Sequence, residues 1–235
     1  LADNDFTFEE KLKIWDFVVE NNMFVVCKTP MAKSITKRTL VGYRNVSVNT
    51  RYFEDLVNQL KDVRKEKNFI NKVTSANYWN RKDDDKIMRF KAIVGNPPYQ
   101  GVNHSQVYPY FYLTSLKLAD YVSLIFPIGW QSPKEGNNLK LMNTPDIKSD
   151  KRIMFIDNRH NVFPGVPGAD WVNVILWNKN YDNKLDGQQL ILTNGKDPKV
   201  TRLECQYSKS AKPKEITELE KIVRSRKDFK SITEI

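Results

Sequence analysis

The chain has 235 residues, 40% of them hydrophobic and 11% aromatic, enough to bury the core of one sizeable α/β domain or of a domain with an appendage. Its longest apolar run, 121–130, is interrupted by Ser123 and Pro127 and falls short of the roughly 18 residues a membrane span needs, which excludes a transmembrane reading. Two cysteines without a Cys-x-x-Cys spacing and two histidines leave few parts for a metal site, whereas 38 Lys and Arg against 28 Asp and Glu favour a polyanionic partner, nucleic acid first.

The chain begins with Leu1 rather than Met and shows no signal-peptide pattern, so it reads as a piece of a larger protein. Thr7-Phe8-Glu9-Glu10 has the spacing of a capping box, and Leu12, Trp15 and Val18 or Val19 follow at helical intervals, which predicts a helix over 8–20. From 21 to 53 there is no acid, and Lys28, Lys33, Lys37, Arg38, Arg44 and Arg51 make this the most basic stretch, a solvated face or a phosphate-backbone contact. Within it 23–27 is β-like and 40–48 carries no firm assignment. Phe53, Leu56, Val57, Leu60 and Val63 predict a second helix over 51–67.

After the polar turn at 81–86, where Asp83-Asp84-Asp85 reads as a solvated turn, short β-rich runs alternate with capped helical segments. That alternation is the signature of a mostly parallel sheet. A buried strand is expected over 87–94 and further strands over 121–126, 151–157 and 171–177, with weaker ones near 189–192 and 201–207. Helices are expected over 109–119, 132–142 and 213–226, the first two starting with Pro109 and Pro133 in their first turns. The domain reading is a mainly helical, basic segment over 1–80, a catalytic half over 81–181, and the start of a recognition region over 182–235. Cys27 and Cys205 read as ordinary thiols, and His104 and His160 as polar loop residues.

The informative residues are Asn96-Pro97-Pro98-Tyr99, at the carboxyl end of an apolar strand, where open α/β sheets place their ligands. They suit methylation of an exocyclic or amide nitrogen, whose lone pair is delocalised and poorly nucleophilic. If the Asn96 side-chain oxygen and the Pro97 carbonyl each accept one N–H of the amine, they favour pyramidal nitrogen and stabilise the developing positive charge. Pro97 and Pro98 supply no competing N–H and stiffen the loop. Tyr99 can lie against the face of a planar substrate. No strong base is needed, because the proton can leave after the methyl group has transferred.

With this tetrad the sequence resembles the amino-directed DNA methyltransferases, specifically the adenine-N6 enzymes of type II restriction-modification systems. The likeness extends through Tyr121-Val122-Ser123-Leu124-Ile125-Phe126-Pro127 and through Asp157-Asn158-Arg159-His160-Asn161-Val162-Phe163-Pro164, which is followed by 171–179. The resemblance implies a partial Rossmann-like class I methyltransferase sheet, mostly parallel with one antiparallel strand. It implies S-adenosylmethionine as methyl donor, double-stranded DNA as partner, a fused or separate restriction endonuclease, and a bacterial cytoplasmic location. By the same resemblance Asn96, Pro97, Pro98 and Tyr99 are catalytic, Tyr99, Phe163 and Pro127 bind the flipped adenine, and Asn96 and Pro98 touch the cofactor. Flipping is required because a duplex hides the amine.

One family feature is missing. These enzymes hold the cofactor over a glycine-rich loop, since only glycine lets the backbone come so close. The chain has nine glycines, and Gly42 alone precedes Gly95. Either the cofactor loop belongs to a segment preceding Leu1 or the chain is a relative that kept the shape without the methyl donor. Two other functions stay open: a non-catalytic DNA-binding or specificity module, and an RNA or protein-amide nitrogen methyltransferase.

Overall fold

The structure, a computed structural model, describes residues 6–81, 87–101, 105–131, 150–160, 162–163, 165, 171–182, 190–193 and 201–203. The chain divides into two compact units, Leu1–Met88 and Arg89–Ile235.

In the first unit the capping box is complete. The Thr7 hydroxyl accepts from the Glu10 N–H and the Glu10 carboxylate accepts from the Thr7 N–H, opening α1, Phe8–Asn22. After α1 come β1, Phe24–Cys27, α2, Pro30–Val41, and β2, Asn49–Tyr52, which pairs parallel to β1. α2 has start and stop signals of its own. Thr29 caps it by accepting from the Ala32 N–H, Pro30 fits its first turn, and Gly42 at φ 59° ends it. The region expected to be mainly helical therefore contains a small βαβ unit.

The helix expected over 51–67 is not one helix. Its first residues belong to β2, and the remainder forms α3, Leu56–Lys61, and α4, Val63–Val73. Asp62 separates the two helices. Its backbone is extended and its carboxylate accepts from the N–H groups of Arg64 and Lys65, so the side chain outcompetes helix continuation and starts a new one. Phe53 meets Phe69 edge-on at 4.8 Å and Phe24 meets Trp79 edge-on at 5.2 Å, and Val19, Val41, Leu60 and Val73 are buried in the same unit.

The second unit is built on one sheet. Its strands are β3, Phe90–Gly95, β4, Ala119–Pro127, β5, Ile153–His160, β6, Trp171–Asn178, β7, Leu190–Thr193, and β8, Thr201–Leu203. Their order is β3-β4-β6-β5-β7-β8. β3, β4, β5 and β7 run one way, β6 runs against them between β4 and β5, and the short β8 is reversed at the far edge. The strand expected from 87 begins instead at Phe90, because Ile87 forms an isolated antiparallel bridge to Ser75 in the first unit. Nor is that strand buried: among the described strands β3 is at the edge of the sheet, and Val94 is 76% exposed. The helices expected over 132–142 and 213–226 lie outside the described residues, as do Asp83-Asp84-Asp85, His104 and Cys205.

β3 connects to β4 through α5, Tyr108–Leu118. Along β4 the side chains alternate, and Val122, Leu124 and Phe126 turn to the core, as a strand's period of two requires. Tyr108 of α5 stacks on Phe126 at 4.9 Å, and Tyr112 meets the same ring edge-on at 5.7 Å. At the other end of this core the Trp177 indole N–H donates to Asp150 Oδ2 at 3.0 Å, and Arg152 grips the same carboxylate through Nε and Nη2.

Candidate active site at the carboxyl end of β3

Because β3, β4 and β5 run in one direction, their carboxyl ends share one end of the sheet. The tetrad leaves β3 there: Asn96 is exposed, Pro97 is buried, and Pro98 and Tyr99 are half-buried. The loop then closes on itself. The Val107 N–H donates to the Tyr99 carbonyl at 3.0 Å, the Gly101 N–H donates to the Ser105 carbonyl at 2.7 Å, and Gln100 bridges Gln106. Gly101 is required by this closure, since a Cβ there would stand 2.9 Å from Val107 Cγ1 and 3.2 Å from Ser105 Oγ. The tetrad is therefore held between a strand and the start of α5 before any substrate arrives.

Tyr99 packs partly against the core of the second unit. Burial pushes its phenol up from the ordinary value, and the neighbouring Asn96 side chain offsets part of that rise. The ring is thus neutral at physiological pH and anchored along one side, leaving only the rest of its surface for a ligand.

Pro127 ends β4 and is half-buried. Phe163, also half-buried, lies in the turn between β5 and β6, where Gly165 adopts φ 77°. The structure thus brings Asn96, Pro127 and Phe163 to one end of the sheet, each following or ending a different strand. Sequence reasoning missed a fourth group. Trp130, fully buried in a 3-10 turn that follows β4, donates its indole N–H to Asn173 Oδ1 at 2.8 Å. That bond orients the amide, and Asn173 Nδ2 is buried without a hydrogen-bond partner. Asn173 is the β6 neighbour of Phe126, one register position in from Pro127. A polar residue inside the apolar run 171–177 was the signal that could have found it.

Four glycines whose surroundings are described, Gly42, Gly95, Gly101 and Gly165, do not form a cradle for S-adenosylmethionine. Gly42 closes α2 with nothing within 4 Å of where a Cβ would stand, Gly95 faces Leu124 at 3.6 Å, Gly101 is crowded by its own loop, and Gly165 sits in an open turn. Among the described residues no group of three His, Cys, Asp or Glu could hold a metal ion, and no helix is long and apolar enough to cross a membrane.

Residues 21–163, more than half of the chain, match the Eco57I restriction-modification methylase family. The chain belongs to that family. The match takes in the tetrad and β4 and ends at Phe163. No curated protein matches the chain. Among solved structures it is similar to the type I restriction-modification system methyltransferase subunit from Streptococcus thermophilus, at 12% identity and a TM-score of 0.48, covering 88% of this chain and 43% of that one. It is also similar to the type I restriction enzyme EcoKI M protein, at 13% identity and a TM-score of 0.43, covering 80% of this chain and 38% of that one. A third likeness is to the type IIL restriction-modification enzyme MmeI, at 11% identity and a TM-score of 0.38, covering 84% of this chain and 38% of that one. The chain therefore spans less than half the length of these proteins. The likenesses are distant, and the family assignment rests on the sequence match. For a methylase of this family the mixed α/β sheet, mostly parallel with a reversed strand set inside it, is the expected methyltransferase fold.

Proposed function

We propose that this chain is the catalytic and base-binding half of an adenine-N6 DNA methyltransferase of a type II restriction-modification system. The observation that carries the reading is Asn96-Pro97-Pro98-Tyr99 at the carboxyl end of β3 in a restriction-modification methylase. S-adenosylmethionine is the methyl donor in this reading. Gly42, Gly95, Gly101 and Gly165 do not fit it, and in this reading its cradle is supplied by another segment of the full-length protein, with Asn96 and Pro98 at most touching its edge.

What the chain itself contributes is a site for the amine. Asn96 Oδ1 and the Pro97 carbonyl accept the two N–H groups of a flipped adenine, draw its nitrogen toward pyramidal geometry and stabilise the positive charge that develops on it. The buried Pro97 ring and the bonds that tie Tyr99 to Val107 and Gly101 to Ser105 hold these acceptors in advance, so little reorganisation accompanies the reaction. Tyr99 and Phe163 offer ring surfaces that replace the stacking lost on flipping, and Pro127 borders the same end of the sheet. The partner is double-stranded DNA, with a fused or separate endonuclease, in the bacterial cytoplasm.

The test is methyl transfer into unmethylated duplex DNA by the full-length protein that carries this chain. Asn96→Ala is expected to lower the rate by about 100-fold or more, the scale set by deleting one preorganised electrostatic partner. Unchanged activity would remove Asn96 from the mechanism, and methyl groups recovered on cytosine or on RNA would refute adenine specificity. The 235-residue chain titrated calorimetrically with S-adenosylmethionine is expected to show no micromolar binding; finding it would overturn the assignment of the cradle to another segment.

A further inference from the structure

We propose that the first unit carries a second site, for a phosphate-class anion, in a cavity of about 300 Å³ between the end of α1 and the start of β2. Two guanidinium groups line this cavity, Arg51 and Arg81. Each is fixed by one N–H and one ring. Arg51 Nε–H donates to the Tyr78 carbonyl at 2.9 Å, and its guanidinium lies 5.5 Å from the Tyr78 ring centre. Arg81 donates from Nη1 to the Asn21 carbonyl at 2.9 Å and lies 5.5 Å from the Phe24 ring centre. One N–H in each five-donor fork is committed, and the others remain. Among the described residues neither arginine is paired with a carboxylate, in contrast to Arg44, which pairs with Asp16.

The rest of the lining is consistent with an anion. Ser47 and Asn80 are polar, and the Asn49 amide is already held by the Glu20 and Met23 carbonyls, so it supplies stiffness to the wall. Among the described lining residues the one carboxylate belongs to Glu20, an exposed residue in the last turn of α1. Among the described residues two positioned cations stand against one acid, and like charges in one pocket repel unless a counter-anion joins them. Phosphate oxygens are the match, because a guanidinium fork takes two of them at once.

The cavity is at the amino ends of β1 and β2, since Asn49 is the first residue of β2 and Asn21 precedes β1. Open α/β sheets place their principal ligands at the opposite, carboxyl ends, so this is not the usual cofactor position. It also lies in a different unit from the tetrad, and its existence does not depend on the proposed methyl transfer. The phosphate can be a free anion or one unit of a nucleic-acid backbone.

The experiment uses the 235-residue chain, titrated calorimetrically at constant ionic strength with inorganic phosphate and, separately, with a short DNA duplex. Arg81→Gln is expected to weaken phosphate binding about 10-fold, the loss of one charge-assisted contact. Glu20→Gln is expected to tighten it severalfold, because it removes the negative charge from the wall. Should Arg81→Gln fail to fold, the Glu20→Gln change carries the test alone with the opposite sign. Parallel loss of duplex affinity in Arg81→Gln, with phosphate competing against duplex, assigns the site to a backbone phosphate. Unchanged duplex affinity with lost phosphate binding assigns it to a free anion. No phosphate binding by the wild-type chain, or binding indifferent to both substitutions, overturns the proposal.

Discussion

In the unit ending at Met88 large apolar side chains lie in the open: Phe8, Phe17, Met31 and Tyr43 are 78%, 64%, 73% and 92% exposed. In the unit beginning at Arg89 four large aromatic side chains among the described residues, Trp130, Trp177, Tyr108 and Phe126, are fully buried. The first unit has a two-stranded sheet, too narrow to cover its helices, and it leans on local devices: the Thr7 capping box, the Thr29 and Asp62 caps, and Gly42 closing α2. The second has a six-stranded sheet onto which α5 packs, and its order comes from contacts distant in sequence. The difference teaches where each unit is vulnerable. Local devices fail one element at a time, whereas a shared core fails as a whole.

The widest separation between the units is expected for aromatic truncations. Trp177→Ala removes a buried ring, its N–H bond to Asp150 and its stacking on Arg152, and is expected to cost about 3–5 kcal/mol in chemical denaturation. Phe17→Ala, on the open side of α1, is expected to change stability by less than about 0.5 kcal/mol. Equal costs for the two would break the comparison.

A smaller effect is expected for Trp130→Phe. It keeps most of the ring but leaves Asn173 Oδ1 buried without its donor, in addition to the already unpartnered Nδ2, at a cost of about 1–3 kcal/mol. A neutral outcome would mean that the Asn173 amide finds another partner, and the double variant with Asn173→Val would show it by non-additivity.

Alkaline pH offers a graded test. Burial raises the phenols of Tyr108 and Tyr112 well above their ordinary value of 10.0. A raised folded value means stability that is complete below the unfolded value and is lost as pH climbs past it. The second unit is therefore expected to weaken progressively above about pH 10, with tyrosinate absorbance from these rings appearing together with loss of structure. Ionisation of Tyr108 and Tyr112 while the sheet persists would contradict their burial.

The smallest effect belongs to the cap of α1. The Glu10 carboxyl is held below its ordinary value of 4.5, chiefly by accepting from the Thr7 backbone N–H and then by the Thr7 hydroxyl. A lowered folded value gives a contribution present above the unfolded value and lost as pH falls through the folded one. Acid is expected to fray α1 first, and Thr7→Ala is expected to cost about 1 kcal/mol confined to that helix, read by amide exchange.

Much of the second unit was legible beforehand. Residues 121–126, 153–156 and 171–177 are mainly apolar, and the strands expected over 121–126, 151–157 and 171–177 are contained in or overlap the observed ones. The first unit was harder to read for the reason that sets it apart. α2 shows its apolar residues Met31 and Ile35 to solvent, so its pattern did not announce a core face, and only its caps marked it. The single helix expected over 51–67 followed an apolar period that runs across Asp62, where a side-chain bond to the backbone decides otherwise.

By itself the sequence determined that an apolar strand ends in Asn96-Pro97-Pro98-Tyr99, a stiff loop without competing N–H donors, and that a glycine-rich cofactor loop is absent from these residues. Both are local properties, carried by proline chemistry and residue identity. Only the tertiary structure decided that β6 enters between β4 and β5, so that Pro127 and the turn of Phe163 share a sheet end with Asn96. It alone buried Asn173 beneath Trp130 and set Arg51 beside Arg81 in one cavity. Strand order and cavity walls depend on pairings between residues far apart in the chain, which no local pattern specifies.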